Sequence, residues 1–570
     1  MSIKSRLKKF YKVWLESPGV RQWRIQRQEP DQQKFWNGQP VTAPPLESTY
    51  FRNLGLEGLT ITRRDDSRAC ALITGRASFP MPALQSGDSV QVAVTADRWN
   101  ADSSVQFNIE GQTTRHVSLH EGRWLDVRLP GPAGTKILTI ETSKPLWVSY
   151  PRVVRKRNVT PEAKPRHVIV MVLDGLARRR FSDRHPTDPE RSVTPNLDRF
   201  FANGFEAPIG FSSSEWTLPT TASFFTGQYA SRHKMVHPTL PMSYQSGQKL
   251  LAEYFQEAGY HTLGLSAGNR LTPAFGSHRG FDRFIYHWAL EGRTTFNYDP
   301  FVWISEIIGH LDTHQSDATF TYVHFPDTHP AWNLPPLTRA FNLSRRGDST
   351  GHDLDRLEYS ELGREQGEQL LLLRLHEFDR AINSLLHYIE ANLPEDTVVA
   401  LTADHGTPWP DFHDDYTHDC LALNEFRIGT FLRMKGPGVT SHACTSPVSP
   451  NLDLMPTLLS LADIEVPGVA DGKDLFGSNA SRSYVISESI YRSVYEVAVN
   501  DVHQQWIKRF PIDEKTFKIT GPAFFQGGFP TGCNDYSVPK FKENAEFDQI
   551  IAQHIRNVGL GPDQDTSSHE

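Results

Sequence analysis

Two unbroken apolar runs, far apart in the chain, each end in a carboxylate. The first is His167-Val-Ile-Val-Met-Val-Leu173, followed by Asp174 and Gly175; the second is Thr397-Val-Val-Ala-Leu-Thr-Ala403, followed by Asp404, His405 and Gly406. A strand that is apolar on both faces must be covered on both, the condition of a parallel sheet flanked by helices. Open α/β sheets take their ligands just beyond the carboxyl ends of the strands. Two such strands in one sheet would bring Asp174, Asp404 and His405 to a single rim. Between them in sequence, Glu215-Trp-Thr-Leu-Pro-Thr-Thr221 offers Thr217, a hydroxyl at a helix start.

The surrounding texture agrees with this reading. From about residue 166, strand-like runs alternate with helical ones, as crossover connections require. Leu250-Leu-Ala-Glu-Tyr-Phe-Gln-Glu-Ala is helical and stops at Gly259, with Tyr260-His-Thr-Leu-Gly-Leu-Ser266 following as a strand. Phe320-Thr-Tyr-Val-His-Phe325 reads as another strand, leading to Asp327-Thr-His329-Pro330, and residues 354 to 393 read as a long helical stretch. Residues 45–157 differ: short segments of alternating polarity, most of them separated by turn signals such as Gly87-Asp88 and Pro130-Gly131, predict a β-sandwich accessory domain. The expected division is 1–44 a basic helix and linker, 45–157 the sandwich, 158–480 the catalytic domain, 481–545 a small C-terminal α+β subdomain, and 546–570 a polar tail.

Composition narrows the class. A net charge of −7 gives no general attraction to nucleic acid. The four cysteines are scattered and form no CxxC pair, which argues against a disulfide framework or a cysteine zinc site. No run reaches the ~18–20 apolar residues of a spanning helix, and the N-terminus lacks the apolar core of a secretory signal, so a cytoplasmic location is expected. Residues 1–30 carry Ile3, Leu7, Phe10, Tyr11, Trp14 and Leu15 at helical spacing opposite Lys4, Arg6, Lys8, Lys9 and Lys12. Such a helix can lie peripherally on an anionic membrane surface; docking on the rest of the protein is the plainer alternative.

Asp174, Asp404 and His405 form a donor set of two hard oxygens and one imidazole, suited to one divalent ion, with Mn²⁺ or Zn²⁺ ahead of Mg²⁺ and Ca²⁺. Taken alone, Asp174 could equally cap the next helix. Thr217 is a poor nucleophile until a cation and a helix N-terminus lower its pKa; without the metal set it would be an N-cap. His329, His418, His413 and His233 are candidate acids for a leaving alcohol, because imidazole can hold a proton near neutrality. Asn269 and Arg232 join His329 as candidate substrate contacts.

At this point the chain resembles the sulfatase branch of the alkaline phosphatase superfamily. The likeness spans roughly residues 166–500 and rests on pieces in one order: Val172-Leu-Asp174-Gly; Thr194-Pro-Asn-Leu-Asp198; Thr217-Leu-Pro-Thr-Thr-Ala-Ser-Phe-Phe-Thr226-Gly227 with Arg232-His233; Gly280-Phe-Asp282; Asp327-Thr-His329-Pro330; Ala403-Asp404-His405-Gly406; and Asp453-Leu-Met-Pro456-Thr457. It implies an alkaline-phosphatase-like, mostly parallel central sheet, metal ligands at Asp174, Thr217, Asp404 and His405, and His329 on the transferred anion. Sulfatases have a cysteine or serine at the nucleophile position, converted to formylglycine, and an arginine four residues on. Thr217 and Thr221 stand here instead, and Gly175 replaces the second carboxylate that many relatives carry. The combination looks like phosphoglycerol- and phosphoethanolamine-transferases and like phosphodiesterases. Ala331, where a two-metal site would need histidine, implies a single ion.

The expected function is therefore a metal-dependent hydrolase or transferase acting on a phosphodiester or phosphomonoester, of a small molecule, glycan or glycolipid, through a covalent Thr217 intermediate. A sulfate-ester hydrolase is the first alternative, and an inactive glycan-binding or scaffold protein the second.

Overall fold

The computed structural model describes residues 34–35, 39–63, 65–97, 104–109, 112–117, 119, 122–154, 165–181, 184–185, 188–236, 243–245, 247–267, 270–286, 300–329, 364–393, 395–407, 421–478, 480–491, 493–533 and 535–561. The basic segment 1–30, and with it the proposed membrane contact, lies outside them. Among the described residues no helix is long and apolar enough to cross a membrane. The chain divides into two compact units, one of residues 1–155 with 237–247 and 272–279, the other of the remainder.

The first unit is built on antiparallel strands. The long strands Asp66–Pro80 and Ile137–Ser149 pair along most of their length. Ser89–Thr95 pairs with Leu125–Pro130, and Val105–Ile109 with the first half of Ile137–Ser149. Their inward residues, among them Ile73, Phe79, Val92, Phe107, Ile140 and Val148, enclose one apolar core.

In the second unit the relevant elements, in chain order, are β1 (His167–Leu173), α1 (Pro195–Phe201), β2 (Phe205–Phe211), α2 (Thr217–Thr226), α3 (Leu251–Glu257), β3 (His261–Ser266), β4 (Arg283–Tyr286), α4 (Pro300–Thr313), β5 (Thr319–Phe325), α5 (Arg364–Asn392), β6 (Thr397–Ala403), β7 (Gly429–Lys435), α6 (Pro450–Leu461), β8 (Val485–Tyr491), β9 (Val494–Asn500), β10 (Gln504–Asp513), β11 (Phe525–Pro530) and α7 (Ala545–Asn557). The strands of the central sheet run β2-β7-β6-β1-β5-β3-β4. β1 pairs in parallel with β5 and with β6. β3 is parallel to β5 and β4, and only β7 and β2 add antiparallel pairings. Every residue of β1, β5 and β6 is buried, as the unbroken apolar runs demand.

Alternation sends odd and even residues of β1 to opposite faces. Ile169, Met171 and Leu173, with Val323 and Phe325 of β5 and Val399 and Leu401 of β6, pack against Trp303, Ile307 and Leu311 of α4 and Leu375, Phe378, Ile382 and Leu385 of α5. Burying one such side chain stabilises the fold by about 1.5–3 kcal/mol, so this layer fixes the sheet firmly. The even face belongs to α2, whose Phe225 meets Tyr322 of β5 with ring centroids 4.9 Å apart.

A second, antiparallel sheet, β8-β9-β10 with β11 on β10, closes the C-terminal part. Val485, Ala498, Ile507 and Phe529 of this sheet share a core with Phe211 of β2 and Ile428. The expected polar tail from residue 546 is corrected here, since residues 545–557 form helix α7. Its sequence is amphipathic: Asn544 caps it by accepting from the Phe547 N–H at 3.0 Å, and Phe547, Ile551 and His554 are buried. His554 Nε2 meets the buried Glu488 at 2.7 Å, and Asp548 accepts from the Trp506 indole at 2.7 Å. Ending the chain at residue 544 should lower the thermal midpoint by several degrees in a circular-dichroism melt, because it uncovers these apolar positions and strands the Glu488 carboxylate without its imidazole. An unchanged midpoint would mean α7 adds nothing to the fold.

Candidate active site

The register of the sheet builds the site. Leu173 pairs with Phe325 on one side and Ala403 on the other, and Val172 with His324 and Thr402. One residue past Leu173 and Ala403 come Asp174 and Asp404. Neighbouring strands lie about 4.8 Å apart, so the two carboxylates emerge side by side. Asp174, His324 and Asp404 are all in phase with Val172, on the face that α2 covers.

Asp174, Asp404 and His405 are buried, and a ligand atom from each lies within 4.8 Å of the other two. Asp404 is oriented by its surroundings: Oδ1 accepts from the Gly175 N–H at 2.9 Å and the His405 N–H at 2.8 Å. Its main-chain carbonyl accepts from Ser212 Oγ and Asn451 Nδ2. Oδ2 is left without a hydrogen bond and points into the cluster, 3.2 Å from His405 Nε2 and 3.5 Å from His324 Nε2. Asp174 likewise keeps Oδ1 unbonded, 3.8 Å from His405 Nε2, while its carbonyl accepts from Thr328 Oγ1 at 2.8 Å. His405 Nδ1 donates to the Gly406 carbonyl at 2.7 Å, which fixes the tautomer with a free Nε2 lone pair, as ligand histidines require.

His324, on β5, is the member that the sequence reading missed. Its Nε2 lies 3.7 Å from Asp174 Oδ2, and its Nδ1 is 3.1 Å from the Tyr322 hydroxyl. Burial disfavours its charge, but the two carboxylates outweigh that and push its pKa up to about 10. Burial also opposes ionisation of Asp174, and the neighbouring His329 and His324 overcome it, holding the carboxyl below its usual range. Two buried anions thus draw in positive charge. Unbonded Asp174 Oδ1, Asp404 Oδ2 and His324 Nε2 converging in one buried spot fit a divalent cation, whose arrival would displace the proton on His324.

Thr217 opens α2 after the extended Trp216, and its Oγ1 is 3.3 Å from His405 Nε2. The ten-residue helix directs its N-terminal positive potential at that hydroxyl. Thr221, one turn on, is buried with Oγ1 unbonded among the described residues. Gly175 explains the lost second carboxylate: its φ is +69°, and a Cβ there would meet Thr407 Oγ1 at 2.5 Å.

His329 is placed beside Asp174, close enough to act on its charge, and the buried Arg374 of α5 reaches its carbonyl at 3.5 Å. Arg270, beyond the carboxyl end of β3, stands 5.9 Å from the Trp216 ring and is a second cation that the sequence reading passed over. His233 and Arg232 are not brought into the cluster. His233 Nδ1 accepts from the Met235 N–H and Nε2 meets Ser223 Oγ, six residues and ~9 Å along α2 from Thr217. Burial lowers its pKa to about 3, which suits a neutral packing group rather than a proton donor. Arg232 turns away to Asp471, at 3.1 Å, and to the Asn557 carbonyl. His413, His418 and Asn269 lie outside the described residues.

Comparison with known proteins agrees with the fold. The sulfatase family profile matches residues 166–464, more than half of the chain. Human arylsulfatase A is 25% identical over 353 residues, 55% of this chain and 67% of that protein. The Escherichia coli sulfatase YidJ, itself uncharacterised, is 22% identical over 378 residues, 52% of this chain and 68% of that protein. Among solved structures, a YidJ sulfatase-type protein of Bacteroides fragilis superposes with a TM-score of 0.50 at 15% identity, covering 71% of this chain and 96% of that one. The fold and the profile match define a hydrolase of a family whose members bind a divalent metal ion, and the buried acid–imidazole cluster is a candidate for that role. The chain belongs to the sulfatase family.

The metal set can be tested by content. Protein purified without a metal-affinity tag should hold one divalent ion per chain more than the protein in which Asp174 and Asp404 are both changed to Asn. Uptake by the stripped protein should release about one proton near pH 7, because His324 is protonated there until the ion replaces its proton. Equal metal content in both proteins, or uptake with no acidification, would contradict the assignment.

Proposed function

We propose that the protein cleaves or transfers a phosphate ester, a phosphodiester or a phosphomonoester of a small molecule or glycan, through a covalent intermediate on Thr217. The observation that carries this reading is Thr217 Oγ1 at the start of α2, 3.3 Å from His405 Nε2 and beside the carboxylate cluster. Threonine there cannot become formylglycine, so the hydroxyl itself must be the nucleophile.

A divalent ion held by Asp174, Asp404, His405 and His324 would lower the pKa of the Thr217 hydroxyl and offset charge on the transferred group. Thr217 Oγ1 gives up its proton to solvent and attacks phosphorus in line, and the phosphorus–oxygen bond to the ester alkoxide breaks on the opposite side. His329 is placed to hold the anion's oxygens or protonate that alkoxide, and Arg270 adds positive charge at the rim. Charge stabilisation of this kind supplies most of the rate in phosphoryl transfer. Water, or a second hydroxyl, then attacks the phosphothreonine and frees Thr217.

Sulfate-ester hydrolysis without formylglycine is the second reading, favoured by the family match and by the activity that the name of arylsulfatase A carries. Parallel assays of aryl phosphate, aryl phosphodiester and aryl sulfate under several metals should favour the phosphorus esters. Thr217→Ala should abolish turnover, a loss of at least ~10³-fold, with metal content unchanged. Mass spectrometry of substrate-trapped protein should find the transferred group on the peptide containing Thr217. Full activity of Thr217→Ala would end the nucleophile assignment, and a sulfate adduct would favour the second reading.

A further inference from the structure

The amino ends of the same strands carry a second gathering of metal-ligand side chains. His167 opens β1, His261 opens β3, and both pair in register with Thr319, which opens β5. The last turn of α4 contributes His310, and His314 and Asp317 lie in the turn from α4 to β5. All five side chains are buried. His167 and Asp174 bracket one strand of seven residues, so at ~3.3 Å per residue the two clusters are roughly 20 Å apart, on opposite edges of the sheet.

His261, His314 and Asp317 each place a ligand atom within 4.8 Å of the other two. The His261 and His314 rings stack with centroids 4.1 Å apart and planes 14° from parallel. His314 Nδ1 is 3.2 Å from Asp317 Oδ2. The His310 ring meets His314 edge-on at 4.9 Å. His310 is only 5% exposed, and its Nε2 has no hydrogen-bond partner among the described residues. The ring also lies near the His261 main chain. A histidine that donates one N–H to a carbonyl offers the lone pair of the other nitrogen, the usual arrangement of a metal ligand.

Packing alone does not account for the group. Ile307 and Leu311 of α4 fill the neighbouring core with apolar side chains, whereas an unbonded imidazole nitrogen in the interior costs free energy. We propose that His261, His310, His314 and Asp317 form a second, structural divalent-cation site, separate from the catalytic cluster. Imidazoles with one carboxylate, all shut away from solvent, match a closed four-coordinate Zn²⁺ site better than a Mg²⁺ or Ca²⁺ site. Zinc–ligand bonds of about 2.0–2.1 Å set tetrahedral donors roughly 3.4 Å apart, so binding would turn one of the stacked His261 and His314 rings out of the stack and swing His310 toward the other donors. The ion would tie the start of β3 to the turn that leads into β5, fixing the sheet at the end remote from the chemistry.

The test uses the full chain with both catalytic carboxylates removed (Asp174→Asn/Asp404→Asn), so that the catalytic cluster does not dominate the reading. After equilibration with Zn²⁺ and dialysis, this protein should retain one zinc per chain, and adding His261→Gln/His314→Gln should reduce that to none. With Co²⁺ in place of Zn²⁺, the four-ligand site should give the intense visible absorption of tetrahedral cobalt. If the His261→Gln/His314→Gln form does not fold, His310→Gln in the same background serves, with zinc affinity expected to fall about tenfold or more. Zinc content unaffected by the histidine changes would overturn the proposal, as would a background protein that binds neither zinc nor cobalt, or an unchanged affinity in His310→Gln.

Discussion

One register holds the candidate site together: β1 pairs residue for residue with β5 on one side and β6 on the other. Because side chains alternate, a slip of one residue in either pairing would send the corresponding ligand to the α4–α5 face. The apolar layer of Ile169, Met171, Leu173, Val323, Phe325, Val399 and Leu401 against α4 and α5 forbids such a slip, since it would turn this layer out of its core. The geometry of the carboxylate–imidazole cluster is thus specified by residues on the opposite face of the sheet. Hydrophobic packing on one face sets the phase, and Asp174, His324 and Asp404 inherit their positions on the other.

The electrostatics follow from that placement. Two carboxylates at adjacent strand ends, both buried, repel one another. Such a pair persists only with compensating positive charge. His324 supplies it as a proton and His329 as a neighbour, while backbone donors from Gly175 and His405 hold Asp404 in position. Thr217 completes the arrangement because the strand-to-helix turn after Ser214 brings the N-terminus of α2 to His405. Glu215 is locked there by Ser214 Oγ and by Ser489 Oγ of β8, at 2.7 and 2.6 Å. The C-terminal sheet therefore helps to position the residue before Trp216, and α7 in turn holds β8 through His554 and Glu488.

Much of this was legible in the chain itself. Continuous apolar runs specified buried parallel strands, and a polar ligand type past each run singled out Asp174, Asp404 and His405, which the fold gathers at one rim. The helix from Thr217 ends at Gly227, where φ is +66°, as a left-handed C-cap calls for. His324 was hidden by its context, a single imidazole inside an apolar strand, where periodicity reads it as core. The clue was its phase with Tyr322 and the strand end, which acquires meaning only once β5 is known to lie beside β1. α7 was misread because a polar composition hid an amphipathic pattern.

The sequence by itself determined the strands, the helix start at Thr217 and which residue types could bind a cation, because these depend on neighbours one to four positions away. Only the tertiary structure decided which ligands share a face, that His324 joins them while His233 and Arg232 do not, and that His261, His310, His314 and Asp317 meet at the opposite edge. Those outcomes rest on which strand lies beside which, and in what register. That choice is made by the burial of whole layers of side chains, a property of the folded sheet that no local stretch of residues contains.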